Sequence, residues 1–526
     1  MDWLLNEVLP DISLVSGEEI WEETLLVWGM IKGYFIIPIL QVLVMFWFVL
    51  SLMVMFEGAY TGIVAICLRL IGRNSANRYK WEPVRDDEEV GSSAYPMVLL
   101  QIPMYNELEV YQLSIAAACG LSWPSDRLII QVLDGSTDHR IMRKVEEECK
   151  RWASKGVNIK HEVRDNRNGF KAGALKLGMT HMYARQCDYV VIFDADFEPE
   201  PNFLCQTIPF LIHNPELALV QARWKFGNAN DCLMTQIQKC HMISTSKICI
   251  GSAGVWRNAA IEEAGGWRER TTVEDADLAV RAFLQGWKFL YIASVQVKSE
   301  LPSTFKAFCS QQRRWACGLA NLFRKMFSEI ITNKKVPWWK TAYVIYSFFF
   351  VRKILAPIVP FVYFCIIIPV AVLMPEVHIP TLGVVSILLI ISLLNLVGTP
   401  RSLPLLVFWI PFENIMSMHR SRAAIMGLAE TGNVNEWVVT EKLGQAHKSQ
   451  ANSPPLDRPR FWFVPRCKLN WLELGMGFYL FCCGCYEIMF GGRTYYPYLF
   501  FQAVAFFVVG FGYVGKFVSN SYTELC

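Results

Sequence analysis

The chain has 526 residues, of which 53% are hydrophobic and only 18% are charged, and its formal net charge is +3. Soluble globular chains average roughly 45–50% apolar and about 25% charged residues, so this composition argues against a purely soluble protein. The small charge, without any Lys/Arg block interleaved with aromatic residues, excludes a nucleic-acid-binding protein.

Residues 1–33 form an acidic N-terminal segment. Its first 24 residues contain seven Asp and Glu side chains and neither Lys nor Arg. A secretory signal peptide begins with a basic region, so we expect this end of the chain to be retained. The apolar run at 34–56 is then predicted to be a transmembrane anchor.

Five segments are long and apolar enough to cross a hydrocarbon layer near 30 Å, which takes about 20 residues. After the anchor, two transmembrane helices are predicted within 354–397 and two within 471–513, followed by a C-terminal tail at 514–526. The predicted crossings are Tyr34–Phe56, Ile354–Met374, Leu382–Val397, Trp471–Phe490 and Pro497–Tyr513.

Residues 403–470 are predicted to form an interfacial helix and a loop. The apolar run Leu403–Ile415 is short and is broken by Pro411 and Glu413, which favours a helix lying in the membrane interface. Basic residues are enriched in this loop and directly after the first span, and they are absent from the link around Glu376. The positive-inside rule therefore predicts that the large polar insert is cytosolic.

That insert, residues 92–330, alternates short apolar runs with helical patterns. The predicted strands are Tyr95–Ile102, Leu128–Leu133, Tyr189–Phe193 and Leu217–Gln221, and the predicted helices are Leu108–Ala118, Ile141–Ala153 and Ala172–Met182. This order indicates an α/β domain with a mostly parallel sheet. Ligands of such sheets bind beyond the carboxyl ends of the strands.

Acidic residues stand at two of these strand ends. Asp134 follows the second predicted strand, and Asp194 and Asp196 follow the third. Mg²⁺ and Mn²⁺ prefer oxygen ligands, and one or two carboxylates plus substrate phosphates suffice to bind them. Taken alone, an Asp pair of this kind also suits a turn or a helix cap.

Three more motifs follow in the chain. Glu274 and Asp275 form an acidic pair, Gln311 to Trp315 reads Gln-Gln-Arg-Arg-Trp, and Trp437 to Lys442 reads Trp-Val-Val-Thr-Glu-Lys. A carboxylate accepts protons, an indole stacks on the apolar face of a sugar, and a guanidinium suits phosphate oxygens. Each motif in isolation also fits a solvated or interfacial helix.

In this order, the motifs make the chain resemble plant cellulose synthase-like proteins of the mannan synthase group, within the processive inverting glycosyltransferases of family 2. The resemblance extends over nearly the whole length. It implies an α/β GT-A-type nucleotide-sugar transferase domain plus a multi-pass α-helical transmembrane region.

The resemblance also assigns roles to site residues. It implies that Asp134 helps hold the nucleotide in the catalytic centre, and that Asp275 is the catalytic base. Asp194 and Asp196 would bind Mg²⁺ or Mn²⁺ together with the diphosphate, and Lys171 would lie near the nucleotide.

Further substrate contacts are implied by the two later motifs. Gln311, Arg314 and Trp315 would lie under the acceptor sugar and near the diphosphate, and Trp437 and Thr440 would belong to a gating loop over the nucleotide. The implied activity is β-1,4-mannosyl transfer from GDP-mannose, with GDP-glucose as a second donor, to mannan or glucomannan. The implied location is the Golgi membrane, in contact with membrane lipid.

Two departures from the family pattern leave alternatives open. Gly135 replaces the second acid of Asp-Asp-Ser-Thr-Asp, and the segment from Cys240 to Ser252 is short and diverged. The diverged segment keeps an inactive membrane scaffold as an alternative to the polymer-forming enzyme. A non-processive lipid glycosyltransferase is a second alternative, because it would share the metal site and the Gln-x-x-Arg-Trp motif. A transporter is disfavoured because the predicted spans contain few ionisable residues.

Overall fold

The structure is a computed structural model. It describes residues 17–70, 75–84, 91–164, 166–245, 252–380, 406–431, 469–492 and 494–514.

Eight strands form a single mixed sheet in the polar insert. They are β1 (Val98–Met104), β2 (Leu128–Asp134), β3 (Ile159–Val163), β4 (Tyr189–Ile192), β5 (Glu198–Pro199), β6 (Leu217–Phe226), β7 (Gly254–Arg257) and β8 (Lys288–Ser299), in the order β3-β2-β1-β4-β7-β6-β8-β5. The half β3-β2-β1-β4 is parallel. Strand β7 lies antiparallel between β4 and β6, while β6 and β8 are parallel. The predicted α/β fold is confirmed, although the sheet is more mixed than the apolar runs indicated.

Helices cover both faces of the sheet. In the insert they are α3 (Tyr111–Cys119), α4 (His139–Ala153), α5 (Phe170–Gly178), α6 (Met182–Arg185), α7 (Phe203–His213), α8 (Leu233–Thr245), α9 (Asn258–Glu263), α10 (Glu274–Leu284) and α11 (Phe305–Thr332). Side chains alternate along a strand, so Leu100 of β1 joins the core on one face and Leu99 joins the core on the other. Burial of both faces explains the continuous apolar runs in the sequence.

The helices outside the insert are mostly apolar. Among the described residues they are α1 (Gly17–Ile31), α2 (Ile37–Leu70), α12 (Trp338–Tyr343), α13 (Ala356–Phe361), α14 (Ile368–Val372), α15 (Leu406–Ala429), α16 (Trp471–Tyr486) and α17 (Tyr496–Gly510), and π-helical turns connect several of them. Within the described residues, three continuous helical stretches are long and apolar enough to cross a membrane: Trp21–Val64, Trp338–Val372 and Trp471–Gly491.

These stretches overlap three of the predicted crossings, and the shorter apolar helix α17 overlaps a fourth. The predicted crossing Leu382–Val397 lies outside the described residues. The domain boundaries and the five-span topology stay predictions.

Helix α15 extends well beyond the short interfacial helix expected at Leu403–Ile415. It continues through Pro411 to Ala429. Its apolar residues Trp409, Phe412 and Met416 are buried against α8 and α11. This tertiary packing stabilises α15 enough to offset the helix-breaking tendency of Pro411.

Candidate active site

The predicted acids meet at one edge of the sheet. Asp134 is the last residue of β2, and Asp194 follows β4. Strand β1 lies between these two strands. Two strand spacings separate the ends, which is about 10 Å. Because β7 runs antiparallel to β4, its first residue Gly254 pairs with Ile192 and so begins at this same edge.

Lys171 connects two of the acidic motifs. It stands in the first turn of α5, which follows Gly169 in the left-handed conformation at φ 68°. Its Nζ lies 2.5 Å from Asp194 Oδ1 and 3.1 Å from Glu274 Oε1. Burial alone would lower the pKa of Lys171, but the charges of Asp194 and Glu274 raise it above its ordinary value. The lysine therefore stays protonated and holds the loop after β4 against α10.

Asp275 occupies the first turn of α10. Its Oδ2 accepts a hydrogen bond from Ser252 Oγ at 3.2 Å, and its Oδ1 accepts one from the Ala276 backbone N–H at 2.8 Å. Burial and the neighbouring charge of Glu274 raise the pKa of Asp275 to about 7, against the opposing effect of Lys171. A carboxylate with this pKa is suited to accept a proton at neutral pH.

Asp196, two residues after Asp194, is buried. Its Oδ2 accepts hydrogen bonds from Ser299 Oγ at 2.7 Å and from the Glu300 backbone N–H at 3.2 Å. These bonds tie the loop after β4 to the end of β8. Within the described part of the chain, no three His, Cys, Asp or Glu side chains converge as a closed metal site. Two carboxylates fit a Mg²⁺ or Mn²⁺ ion that completes its shell with phosphate oxygens.

The Asp134 carboxylate is fully buried and is engaged with neighbouring residues. Its Oδ1 accepts from the Ser136 backbone N–H at 2.9 Å, and its Oδ2 lies 3.2 Å from His161 Nε2. Burial would raise the pKa of Asp134, but the hydrogen bonds from His161 and Ser136 hold it below its ordinary value. The carboxylate therefore organises the loop at the end of β2. Contact between Asp134 and a nucleotide stays a prediction.

The Gln-Gln-Arg-Arg-Trp motif lies in the first half of α11. Gln311, Arg314 and Trp315 are half-buried there. Burial lowers the pKa of Arg314, while the nearby charges of Glu274 and Asp194 oppose this effect. Arg314 of α11 therefore lies within electrostatic range of the acidic cluster.

Trp315 packs against a small apolar cluster. The cluster consists of Ala229 and Leu301, flanked by Trp224 and Phe226 at the end of β6. The aromatic rings of Trp224 and Phe226 lie 6.4 Å apart, edge to face. Flat aromatic surfaces in this arrangement suit the apolar face of a sugar ring.

Two of the predicted site residues, Trp437 and Thr440, lie outside the described residues. Their roles stay predictions. Two residues that the sequence did not single out also belong to the site: Ser252 beside Asp275 and Ser299 beside Asp196. The two serines carried no sequence signal, since their partners are distant in the chain.

Asp277 has a different environment from Asp275. The carboxylate that raises the pKa of Asp275 is that of Glu274. Asp277 is fully buried and instead pairs with Arg270 and Arg281.

Known families and proteins match this chain along most of its length. Residues 100–249 match the model of "Glycosyl transferase family 2", and residues 189–375 match "Glycosyl transferase family group 2". The chain is 56% identical to Glucomannan 4-beta-mannosyltransferase 9 of Arabidopsis thaliana, over 98% of this chain and 99% of that protein. The chain belongs to the glucomannan 4-beta-mannosyltransferase family. Glucomannan 4-beta-mannosyltransferase 1 of Oryza sativa subsp. japonica is 54% identical, over 94% of this chain and 97% of that protein.

Family membership confirms the resemblance inferred from the motifs. Among solved structures, the chain is similar to a mannosyltransferase from Pyrobaculum calidifontis in complex with GDP-Man and Mn²⁺, with a TM-score of 0.47 and 18% identity. That likeness covers 73% of this glucomannan 4-beta-mannosyltransferase family member and 100% of the other chain.

Proposed function

We propose that the protein is a membrane-bound, inverting, processive glycosyltransferase. It transfers β-1,4-linked mannosyl units from GDP-mannose to a growing mannan or glucomannan chain. One observation carries this proposal: a carboxylate with a pKa of about 7, Asp275, lies beside the Lys171-linked Asp194 and the arginine of α11. The names of the family members support the choice of sugar.

Asp275 is the general base in this mechanism. Its carboxylate accepts the proton of the acceptor hydroxyl while that oxygen forms a bond to the anomeric carbon. The bond from the anomeric carbon to the diphosphate breaks on the opposite side, and the electron pair leaves with GDP. A single displacement of this kind inverts the anomeric centre. Ser252, which donates to Oδ2, keeps the carboxylate oriented.

Asp194 and Asp196 would hold the divalent cation, Mg²⁺ or Mn²⁺. When bound, such an ion neutralises charge that develops on the departing diphosphate. The Arg314 guanidinium supplies positive charge to the same region, because its surroundings include Asp194 and Glu274. A planar guanidinium binds two phosphate oxygens at once, which orients the leaving group.

The acceptor chain is proposed to stack on Trp315. This indole packs against Ala229 and Leu301, the same small apolar cluster that Trp224 and Phe226 contact. Gln311, one turn earlier on α11, is proposed to bind acceptor hydroxyls.

Several finer features of the proposal rest on the sequence. GDP-glucose is proposed as a second donor, and Trp437 and Thr440 as a gate over the nucleotide. The protein is proposed to lie in the Golgi membrane with its catalytic domain facing the cytosol. The three long apolar helices support a membrane location.

A microsome assay tests the function. Membranes from cells that express the chain receive labelled GDP-mannose and Mn²⁺, and the control is the Asp275→Asn variant at equal protein level. The expected result is an alkali-insoluble, mannanase-sensitive product from the wild type alone. Label found in lipid extracts would instead support lipid glycosylation, and the lack of any labelled product would support a scaffold.

A further inference from the structure

One arginine, Arg270, links the first turn of α10 to the last turn of α11. The Arg270 guanidinium donates from Nε and Nη2 to Asp277 Oδ1, at 2.9 and 2.5 Å. It also donates from Nη1 to Glu329 Oε1 at 2.5 Å and from Nη2 to Glu329 Oε2 at 3.2 Å. Asp277 belongs to α10 and Glu329 belongs to α11. Within the described residues, Arg270 alone bonds both carboxylates.

The burial of this network makes the link strong. Asp277 is fully buried, and the Arg270 side chain is only 19% exposed. Arg281 also pairs with Asp277, at 2.8 Å, but it belongs to the same helix. A buried carboxylate that loses a partner leaves an uncompensated charge, which is strongly unfavourable. Arg270 thus connects α10 to α11, whereas Arg281 pairs with Asp277 within α10.

The backbone that precedes α10 is held against α11 as well. Lys325 of α11 donates from Nζ to the Arg270 carbonyl oxygen at 2.8 Å. A Cβ at Gly318 of α11 would lie 2.6 Å from Thr272 Oγ1, so the two segments approach closely. The segment that precedes α10 therefore contacts α11 through both its backbone and its side chains.

Helix α11 also carries Trp315, the proposed acceptor platform. The distance between this platform and the Asp275 carboxylate therefore depends on how α10 sits on α11. We propose that Arg270 is a positioning residue: by bonding Asp277 and Glu329 together, it holds Asp275 where it can accept the proton of the acceptor. This inference rests on the proposed function, in which Asp275 is the base.

Arg268 provides a matched control. It bonds the same carboxylate, with its Nη1 at 3.2 and 3.4 Å from the Glu329 oxygens, and its side chain is 42% exposed. Replacing Arg268 removes a cation of the same type from Glu329. It leaves the bonds between Arg270 and Asp277 in place.

The test compares Arg270→Ala, Arg270→Lys and Arg268→Ala in microsomes, with labelled GDP-mannose and with rates normalised to the amount of membrane protein. For Arg270→Ala we expect kcat to fall about 100-fold, with the donor KM within about threefold of wild type. Arg270→Lys keeps the positive charge but lacks the planar guanidinium, so its kcat should lie between those of the wild type and Arg270→Ala. Arg268→Ala should match the wild type.

A double-variant cycle with Glu329→Ala adds a second readout. If the bond between Arg270 and Glu329 sets the geometry, the loss of kcat in Arg270→Ala/Glu329→Ala will be much smaller than the product of the two single losses. Multiplicative losses would overturn the inference. So would equal kcat values in Arg270→Ala and Arg268→Ala, or a donor KM that rises as much as kcat falls.

The outcomes also separate this inference from the proposed function. A wild-type protein that makes no mannan overturns the function. An active wild type with an unaffected Arg270→Ala variant overturns only the positioning role. If Arg270→Ala does not accumulate in membranes, Arg270→Lys provides the test. A kcat of Arg270→Lys equal to that of Arg268→Ala would overturn the inference. A lower kcat of Arg270→Lys at unchanged donor KM would support it.

Discussion

The packing of α10 on α11 can be tested at one glycine. A Cβ at Gly318 would lie 2.6 Å from Thr272 Oγ1 and 2.9 Å from Val273 Cγ1, where ordinary contact begins at 3.4 Å. Thr272 and Val273 are both buried, so neither side chain can turn into solvent. In Gly318→Ala, the segment before α10 must therefore retreat by roughly 0.8 Å.

This displacement should affect activity more than stability. Alanine stabilises a helix by about 1 kcal/mol relative to glycine, and overpacking of a core costs about 1–3 kcal/mol, so the net loss of stability is at most about 2 kcal/mol. A shift of about 1 Å in a reacting group can lower the rate about 100-fold. We expect kcat of Gly318→Ala to fall on the order of 100-fold while the protein level stays near that of the wild type.

The assay is mannan synthesis from labelled GDP-mannose in microsomes, normalised to protein level. Gly475→Ala is the matched control, because Gly475 is also helical, in α16, and a Cβ there would meet nothing within 4 Å. It gains the same helix propensity and should remain fully active. If Gly318→Ala keeps more than about half of the wild-type kcat, the contact between α10 and α11 does not set the catalytic geometry.

Four further predictions concern the acidic cluster. Asp275→Asn should abolish transfer while GDP still binds, because the amide keeps the shape of the side chain but cannot accept the proton; undiminished turnover would refute its role as the base. Since Asp275 must be deprotonated and its pKa is about 7, kcat should fall about tenfold for each pH unit well below 7. Glu274→Gln removes a charge that raises this pKa, so the acid limb of the pH profile should move to lower pH, and an unmoved limb would contradict the electrostatic coupling. Asp196→Ala should weaken GDP binding in the presence of Mn²⁺ by about tenfold or more, measured by titration calorimetry, and equal affinity with the wild type would exclude Asp196 from the metal site.

The acids at the strand ends could be predicted because they depend on local pattern. The apolar runs before Asp134 and Asp194 are strands buried on both faces, and parallel strands bring their carboxyl ends to one edge. What each acid bonds could not be predicted. The partners Asp196 and Ser299 are 103 residues apart, and the pairing of β8 with β6 and with β5 brings Ser299 to this edge.

Strand β8 itself escaped prediction for a physical reason. Its apolar pattern is interrupted by Ser294, Gln296 and Lys298. Its pairing with β6 also shifts register between Ala222 and Arg223, so the side chains do not alternate evenly between the two faces. A period-2 pattern that changes phase within one strand gives a weak signal in the sequence.

The partners of the three acids at the start of α10 could not be predicted from the local sequence either. Glu274, Asp275 and Asp277 look alike in the sequence, as acids that suit a helix N-terminus. The structure gives each a different partner: Lys171 for Glu274, Ser252 for Asp275, and Arg270 with Arg281 for Asp277. Their chemical roles follow from these partners, which no local pattern contains.

The apolar contacts of α10 join the catalytic part of the chain to a membrane helix. Val273 and Ala276 belong to one buried cluster with Met326 of α11 and with Val344 and Phe349 of the apolar stretch that follows α12. The predicted end of the catalytic domain at residue 330 therefore falls inside a single packed core. The proposed base at the start of α10 is positioned partly by a helix that composition assigns to the membrane. Changes in how that helix packs should consequently alter the proton transfer proposed for Asp275 before they alter nucleotide binding.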